Sequence, residues 1–193
     1  MSSGKVTYVY YTKQPPASTV TAVKPSKWSL AVKIFHWGSA LLLIVVWSMI
    51  TLHNSASSGE TYLNLHRAFG VSLLFWMIAR VISRVISPTP ASVPMPKWQT
   101  AVSHLTHLLL YAVLFAMPLS GILMTWYGGH SIDMFGLFEL QSILTTDRGQ
   151  ARFFNNLHTD VLWPTLMVFT GLHILGAIQH QFIKKDNIMS RIK

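Results

Sequence analysis

The chain has 193 residues, of which 51% are hydrophobic and 11% charged, with a net charge of +9 and no cysteine. About a quarter of the residues of a soluble domain are charged, so this balance excludes an ordinary soluble globule and indicates a chain solvated by lipid. Without cysteine there is no disulfide, thiolate metal centre, cysteine-held iron–sulfur cluster or covalently attached c-type haem; nine histidines against six acidic residues point to nitrogen as the ligand for any metal.

Residues 1–27 are polar and irregular, with Pro15, Pro16 and Pro25, and lack the apolar stretch of a signal peptide. They read as a flexible cytoplasmic tail, with Tyr8, Tyr10 and Tyr11 available to order part of it near the membrane. The remaining residues, 28–193, read as one all-α domain, a bundle of four transmembrane helices. The first span lies in the charge-free stretch Ile34 to Gly59, whose apolar part up to about Leu52 approaches the ~20 residues a hydrocarbon core requires. A small polar loop over 53–64 leads to the second span, from about Leu65 to Ile86, closed by Pro88 and Pro90. After a short Pro-rich turn the third span covers about Ala101 to Trp126. The longest loop, 127–156, carries an amphipathic stretch, Ile132 to Leu144, suited to lying flat on the membrane. The fourth span covers about Leu157 to Ile183.

Basic residues orient these spans. Lys5, Lys13, Lys24, Lys27, Lys33, Arg80, Arg84, Lys97, Lys184, Lys185, Arg191 and Lys193 fall on one side, and only Arg67, Arg148 and Arg152 on the other. The positive-inside rule then predicts both termini in the cytoplasm of a multi-pass bacterial inner-membrane protein. Read this way, the net positive charge records topology, and no nucleic-acid partner is expected.

Histidine is costly in lipid, so an intramembrane histidine is a functional candidate. Depth sorts the nine into two layers. His66 and His158 share the outer depth on different helices, and His36, His104, His107, His173 and His180 populate the inner half. His53 and His130 fall at loops and read as interfacial. A b-type haem requires imidazoles facing one another from different helices, which a helix bundle supplies. His158 and His173 stand 15 residues apart, ~22 Å along a helix rising ~1.5 Å per residue, a separation suited to two haems. His104 and His107 share one helix face, with no third ligand evident for zinc; hydrogen bonding near a quinone or haem edge suits them better. Geometry alone supports the outer pair and leaves His173, His180, His104 and His107 open as the partner of His36.

Several segments together resemble the bacterial cytochrome b561 family. They are Ile34-Phe35-His36-Trp37; His66-Arg67-Ala68-Phe69-Gly70; Arg80 and Arg84 before the Pro88–Pro96 run; and His104-Leu105-Thr106-His107 with Tyr111. Met117-Pro118-Leu119-Ser120-Gly121, Leu157-His158, Gly171-Leu172-His173, His180 and Lys185-Asp186-Asn187 complete the series. The resemblance covers about residues 28–193, and it is the order of the pieces over four spans that is specific. It implies two non-covalent haems b, one held by His36 and His173 towards the cytoplasm, the other by His66 and His158 towards the periplasm. The family's usual step between the two helix-four ligands is 14 residues. One extra residue turns a side chain by ~100°, so a π-bulge or kink near Pro164 is expected to absorb it.

With both axial positions filled by histidine, the expected chemistry is one-electron transfer without a substrate bound at the metal. Each ligating imidazole is expected to donate its other N–H to a carbonyl or water. Arg67, and Arg80 or Arg84, are candidate partners for haem propionates, although Arg80 and Arg84 also suit snorkelling to the surface. Phe35, Phe69, Phe75, Trp76 and Phe115 are candidates for haem faces, a role less common for such residues than plain packing. The resemblance further suggests a small periplasmic donor, superoxide, with ubiquinone as acceptor. The broad periplasmic field argues against a basic funnel, since Arg67, Arg148 and Arg152 face Glu60, Asp133, Glu139, Asp147 and Asp160. The alternative is a cytochrome b subunit anchoring a periplasmic dehydrogenase or hydrogenase. A colourless histidine membrane protein carrying metal or protons ranks third.

Overall fold

The computed structural model describes residues 27–193 except 56–58, 92, 93 and 187. The amino-terminal tail and its tyrosines lie outside the described residues. Four helical rods follow in order: α1 (Leu30–Ser55), α2 (Gly59–Ile86), α3 (Lys97–Tyr127), and a fourth composed of α4 (Arg148–Asn156), a π-helical turn (Leu157–Leu162), α5 (Trp163–Ile178) and a second π turn (Gln179–Lys184). All four are long and apolar enough to cross a bilayer. Each rod satisfies its own backbone polar groups, as lipid requires. The helices run past the predicted spans at several ends, because helical hydrogen bonding continues into the interfacial residues that hydropathy leaves out.

Lipid as solvent also explains the packing. Large side chains such as Leu41, Phe75 and Leu108 point outward, while close contact between rods uses small or polar residues. Gly38 of α1 meets α2 so closely that a Cβ there would stand 2.3 Å from Cζ2 of Trp76. The Trp76 indole N–H donates to the Phe35 carbonyl at 3.1 Å across the same contact. Buried Ser39 donates to its own helix at Phe35 O, 2.6 Å away.

The connection between α3 and α4 differs from the expectation for Ile132 to Leu144. Instead of lying flat, it folds into an antiparallel hairpin, β1 (Ile132–Met134) against β2 (Phe138–Leu140), with Asp133 opposite Glu139. Alternation turns Ile132 and Met134 onto Ala68 and Val71 of α2, burying apolar surface that a flat segment would have left to the lipid interface. Gly136, at φ 74°, makes the tight turn and donates its N–H to Asp133 Oδ1 at 2.8 Å. Asp147 then caps α4, accepting from the N–H groups of Gly149 and Gln150.

The π turn at Leu157–Leu162 ends two residues before Pro164, near which the 15-residue step predicted a distortion. Proline has no N–H to donate to the carbonyl four residues earlier. The chain responds by widening one turn, so that the N–H of Trp163 donates to His158 O, five residues back.

At the opposite end from the hairpin, the carboxyl terminus closes on the start of α1. Trp28 N–H donates to Arg191 O at 3.1 Å and the Trp37 indole to Ile192 O at 3.0 Å. The Lys33 ammonium also donates to the Lys193 carbonyl, and Arg191 to that of Ala91. This clasp places both ends of the described chain at one end of the bundle.

Candidate functional site

Two imidazoles that grip one ion from opposite sides have a simple metric. With metal–nitrogen bonds of about 2.0 Å, each ring centre lies roughly 3 Å from the ion and the two centres about 6 Å apart. At the hairpin end the ring centres of His66 (α2) and His158 (fourth rod) are 6.3 Å apart. His66 Nδ1 lies 2.9 Å from Val46 O, and His158 Nδ1 lies 2.9 Å from Met117 O. A carbonyl only accepts, so each Nδ1 carries the proton and each Nε2 keeps a lone pair free for a metal.

Both rings border a cavity of about 580 Å³ whose other walls are mainly apolar, among them Val46, Trp47 and Leu166. Gly70 and Gly121 also line it. A Cβ on Gly70 would meet nothing within 4 Å, and one on Gly121 would approach His158 Cε1 to 3.4 Å. The cavity contains one cationic side chain, Arg67. Its Nη1 donates to Asn64 Oδ1 at 3.3 Å, while its Nε is buried and has no partner among the described residues. An apolar slot between two imidazoles, lined also by a guanidinium whose Nε has no partner among the described residues, suits a flat apolar macrocycle that carries carboxylates.

At the clasp end three imidazoles meet. The ring centres of His36 (α1) and His173 (α5) are 6.1 Å apart, and those of His107 (α3) and His173 are 5.3 Å apart. His107 Nδ1 lies 2.6 Å from the Ser103 carbonyl of its own helix. Arg80 donates to His36 Nδ1 at 2.9 Å and stands 5.5 Å from the centre of the Tyr111 ring, so His36 Nδ1 accepts here instead of donating to a carbonyl or water as expected.

The remaining candidates are placed elsewhere. Arg84 lies 4.1 Å over the Trp28 ring and donates to Thr89 Oγ1 at 3.3 Å, at the clasp. His180 bonds Asp186 at 2.5 Å. His53 Nδ1 bonds Gly59 O at 2.7 Å, a loop-closing role that matches its interfacial reading. His104 and His130 are exposed. Of the five aromatic candidates, Phe35 and Trp76 pack on one another, with ring centres 4.9 Å apart, and Phe69 packs on Phe135 of the hairpin. Sequence reasoning missed Val46 O, which anchors His66, and the Ser120 hydroxyl, 2.9 Å from His158 Nδ1. A backbone carbonyl leaves no side-chain signal, and a serine inside an apolar span gives a weak one.

The sequence model of the prokaryotic cytochrome b561 family matches residues 27–193. The chain belongs to the prokaryotic cytochrome b561 family. It is 31% identical to cytochrome b561 homolog 2 of Escherichia coli K12, over 87% of this chain and 92% of that protein. It is 30% identical to the probable superoxide oxidase CybB of Yersinia pestis, over 81% and 90% of the two chains. Cytochrome b561 homolog 1 of E. coli is 28% identical, over 81% and 91%. A b561 cytochrome with four spans is a multi-pass protein of the bacterial inner membrane that binds b-type haem and takes part in membrane electron transfer.

Proposed function

We propose that this cytochrome carries two haems b, one between His66 and His158 and one between His36 and His173, and passes electrons from a periplasmic donor to the ubiquinone pool. The observation that supports it most is the recurrence of one spacing, 6.3 and 6.1 Å, in two imidazole pairs on separate helices. The spacing also favours His173 over His107 as partner to one ion. At 5.3 Å the His107 and His173 rings are too close to take opposite sides of it. When bound, haem supplies reversible one-electron chemistry.

The chain's own residues do the remainder. Val46 O and Met117 O hold the Nδ1 protons of His66 and His158 and so aim the Nε2 lone pairs. Arg67 offers its unpartnered Nε to a carboxylate at the hairpin end. Arg80, which donates to His36 Nδ1 in this structure, would turn to a carboxylate at the clasp end and so free His36 Nδ1 to carry the ring proton. With the basic residues read as cytoplasmic, the clasp end faces the cytoplasm and the hairpin end the periplasm.

Superoxide is the donor proposed, on the strength of the Yersinia relative's name. Arg148 and Arg152, one turn apart and exposed on α4, provide local attraction for an anion at that end. Purified holoprotein should show reduced b-haem bands on exposure to superoxide, and added ubiquinone should reverse them. No reduction by superoxide would remove that donor, and copurification of a large periplasmic dehydrogenase would favour the anchor-subunit reading instead. For the haem assignment, His66→Ala or His158→Ala should lose about one haem of two by pyridine haemochrome count. Full retention in both would refute the hairpin-end pair.

A further inference from the structure

The two histidines of the hairpin-end pair are held differently. His66 Nδ1 has one acceptor, Val46 O. His158 Nδ1 has two oxygens at 2.9 Å, Met117 O and Ser120 Oγ. The Ser120 hydroxyl also lies 2.8 Å from Met117 O. The carbonyl can only accept, so the His158 proton is on Nδ1 and the serine proton points at the same carbonyl. That leaves a lone pair of Ser120 Oγ facing the imidazole N–H. The three groups therefore form a closed triangle in which one N–H is shared between two oxygens. Ser120 is 3% exposed, so no solvent competes for these bonds. Next to it, a Cβ on Gly121 would stand only 3.4 Å from His158 Cε1.

We propose that Ser120 is a positioning residue for His158, fixing the plane of the imidazole and lowering the reduction potential of the group that His158 ligates. It rests on the reading of His158 as an axial ligand. The physical reason is that sharing the Nδ1 proton with a second acceptor adds imidazolate character to the ring. A more basic axial ligand stabilises the oxidised iron. His66, with a single acceptor, lacks this, so the two ligands of one group are made unequal by α3.

The test uses full-length holoprotein with Ser120→Ala, Ser120→Thr and His158→Ala. In Ser120→Ala both haems are retained, and the reduced-to-oxidised ratio of one of them at fixed potential rises roughly three- to ten-fold, about 30–60 mV at 59 mV per tenfold for one electron. Its low-spin electron paramagnetic resonance signal moves as the ring plane is freed, and the other haem is unchanged. Ser120→Thr, which restores the hydroxyl, returns the potential towards wild type. Unchanged potential and resonance in Ser120→Ala overturn the proposal, as does loss of the haem itself, since Ser120 would then hold the group and not tune it. If His158→Ala keeps full haem content, the reading of His158 as a ligand fails instead, and the two failures are told apart by the haem count.

Discussion

A histidine can offer Nε2 to a metal only when its proton is on Nδ1, and for His66 and His158 that is decided one residue at a time by oxygens from other helices. Val46 O reaches His66 over a separation of 20 positions, and Met117 O reaches His158 over 41. The outer candidates His66 and His158 were legible because imidazole is expensive in lipid and because they share one depth, whereas His173 was singled out as the partner of His36 only by the family resemblance. The anchors of His66 and His158 were not legible, because any residue carries a carbonyl. Arg67 was legible as a cation beside the outer layer, and the structure adds that its Nε is buried and unpartnered among the described residues. Arg67→Leu should weaken retention of the hairpin-end haem by about 1.5–3 kcal/mol, the contribution of a hydrogen bond to a charged group. Haem loss to an apoprotein acceptor measures this, with Arg67→Lys intermediate.

Asp186 permits a prediction in pH. Burial pushes its carboxyl up, but the hydrogen bonds from His180 and from the Ile188 N–H, with the charges of His180 and Lys184, outweigh this and hold it below the usual carboxylate range. A depressed folded-state value means that its stabilisation is complete above the unfolded value, near ~3.9, and is lost as pH falls through the folded one. Thermal bleaching of the Soret band should therefore show an acid-side fall in midpoint that Asp186→Asn diminishes. An identical acid limb in the variant would show that other groups set it.

At the scale of elements, the π turn is the device that would reconcile the two ligands proposed on one rod. Fifteen residues separate His158 and His173, and a regular α-helix would swing them to different faces, ~60° beyond four full turns. Widening the turn at Leu157–Leu162 takes up the surplus residue. Deleting Thr159 should then convert the π turn to α geometry and leave both haems in place. Inserting one alanine after Val168, in regular α5, should cost about one haem of two. Loss of haem in the deletion variant and retention in the insertion variant would reverse the account. Pro164 made the location of the distortion legible. The hairpin was not legible, because a period-two pattern three residues long is too short to separate from an amphipathic surface segment.

At the scale of the whole molecule, the clasp joins Trp28, Trp37 and Lys33 of the chain's beginning to Arg191, Ile192 and Lys193 at its end. Both ends of the described chain are therefore on one side, as four spans require. Which side follows from charge. Reporter fusions in a bacterial host should place the carboxyl terminus in the cytoplasm, with a fusion at the α3–α4 connection in the periplasm. A periplasmic carboxyl terminus would exchange the donor and acceptor ends of the proposed circuit.

By itself the sequence determined the number of spans, their order, the two depths of histidine and the need for a distortion near Pro164. All of these depend on transfer of side chains between water and lipid and on the fixed rise of a helix, which are local properties of the chain. Only the tertiary structure decided which imidazoles approach to about 6 Å, that His107 joins His173, that Arg67 Nε has no partner among the described residues, and that Ser120 Oγ lies 2.9 Å from His158 Nδ1. The physical reason is directional. Hydrogen bonds and metal–ligand bonds depend on the rotation of each rod about its own axis, and that rotation is set by contacts between residues distant in the chain, such as Gly38 against Trp76.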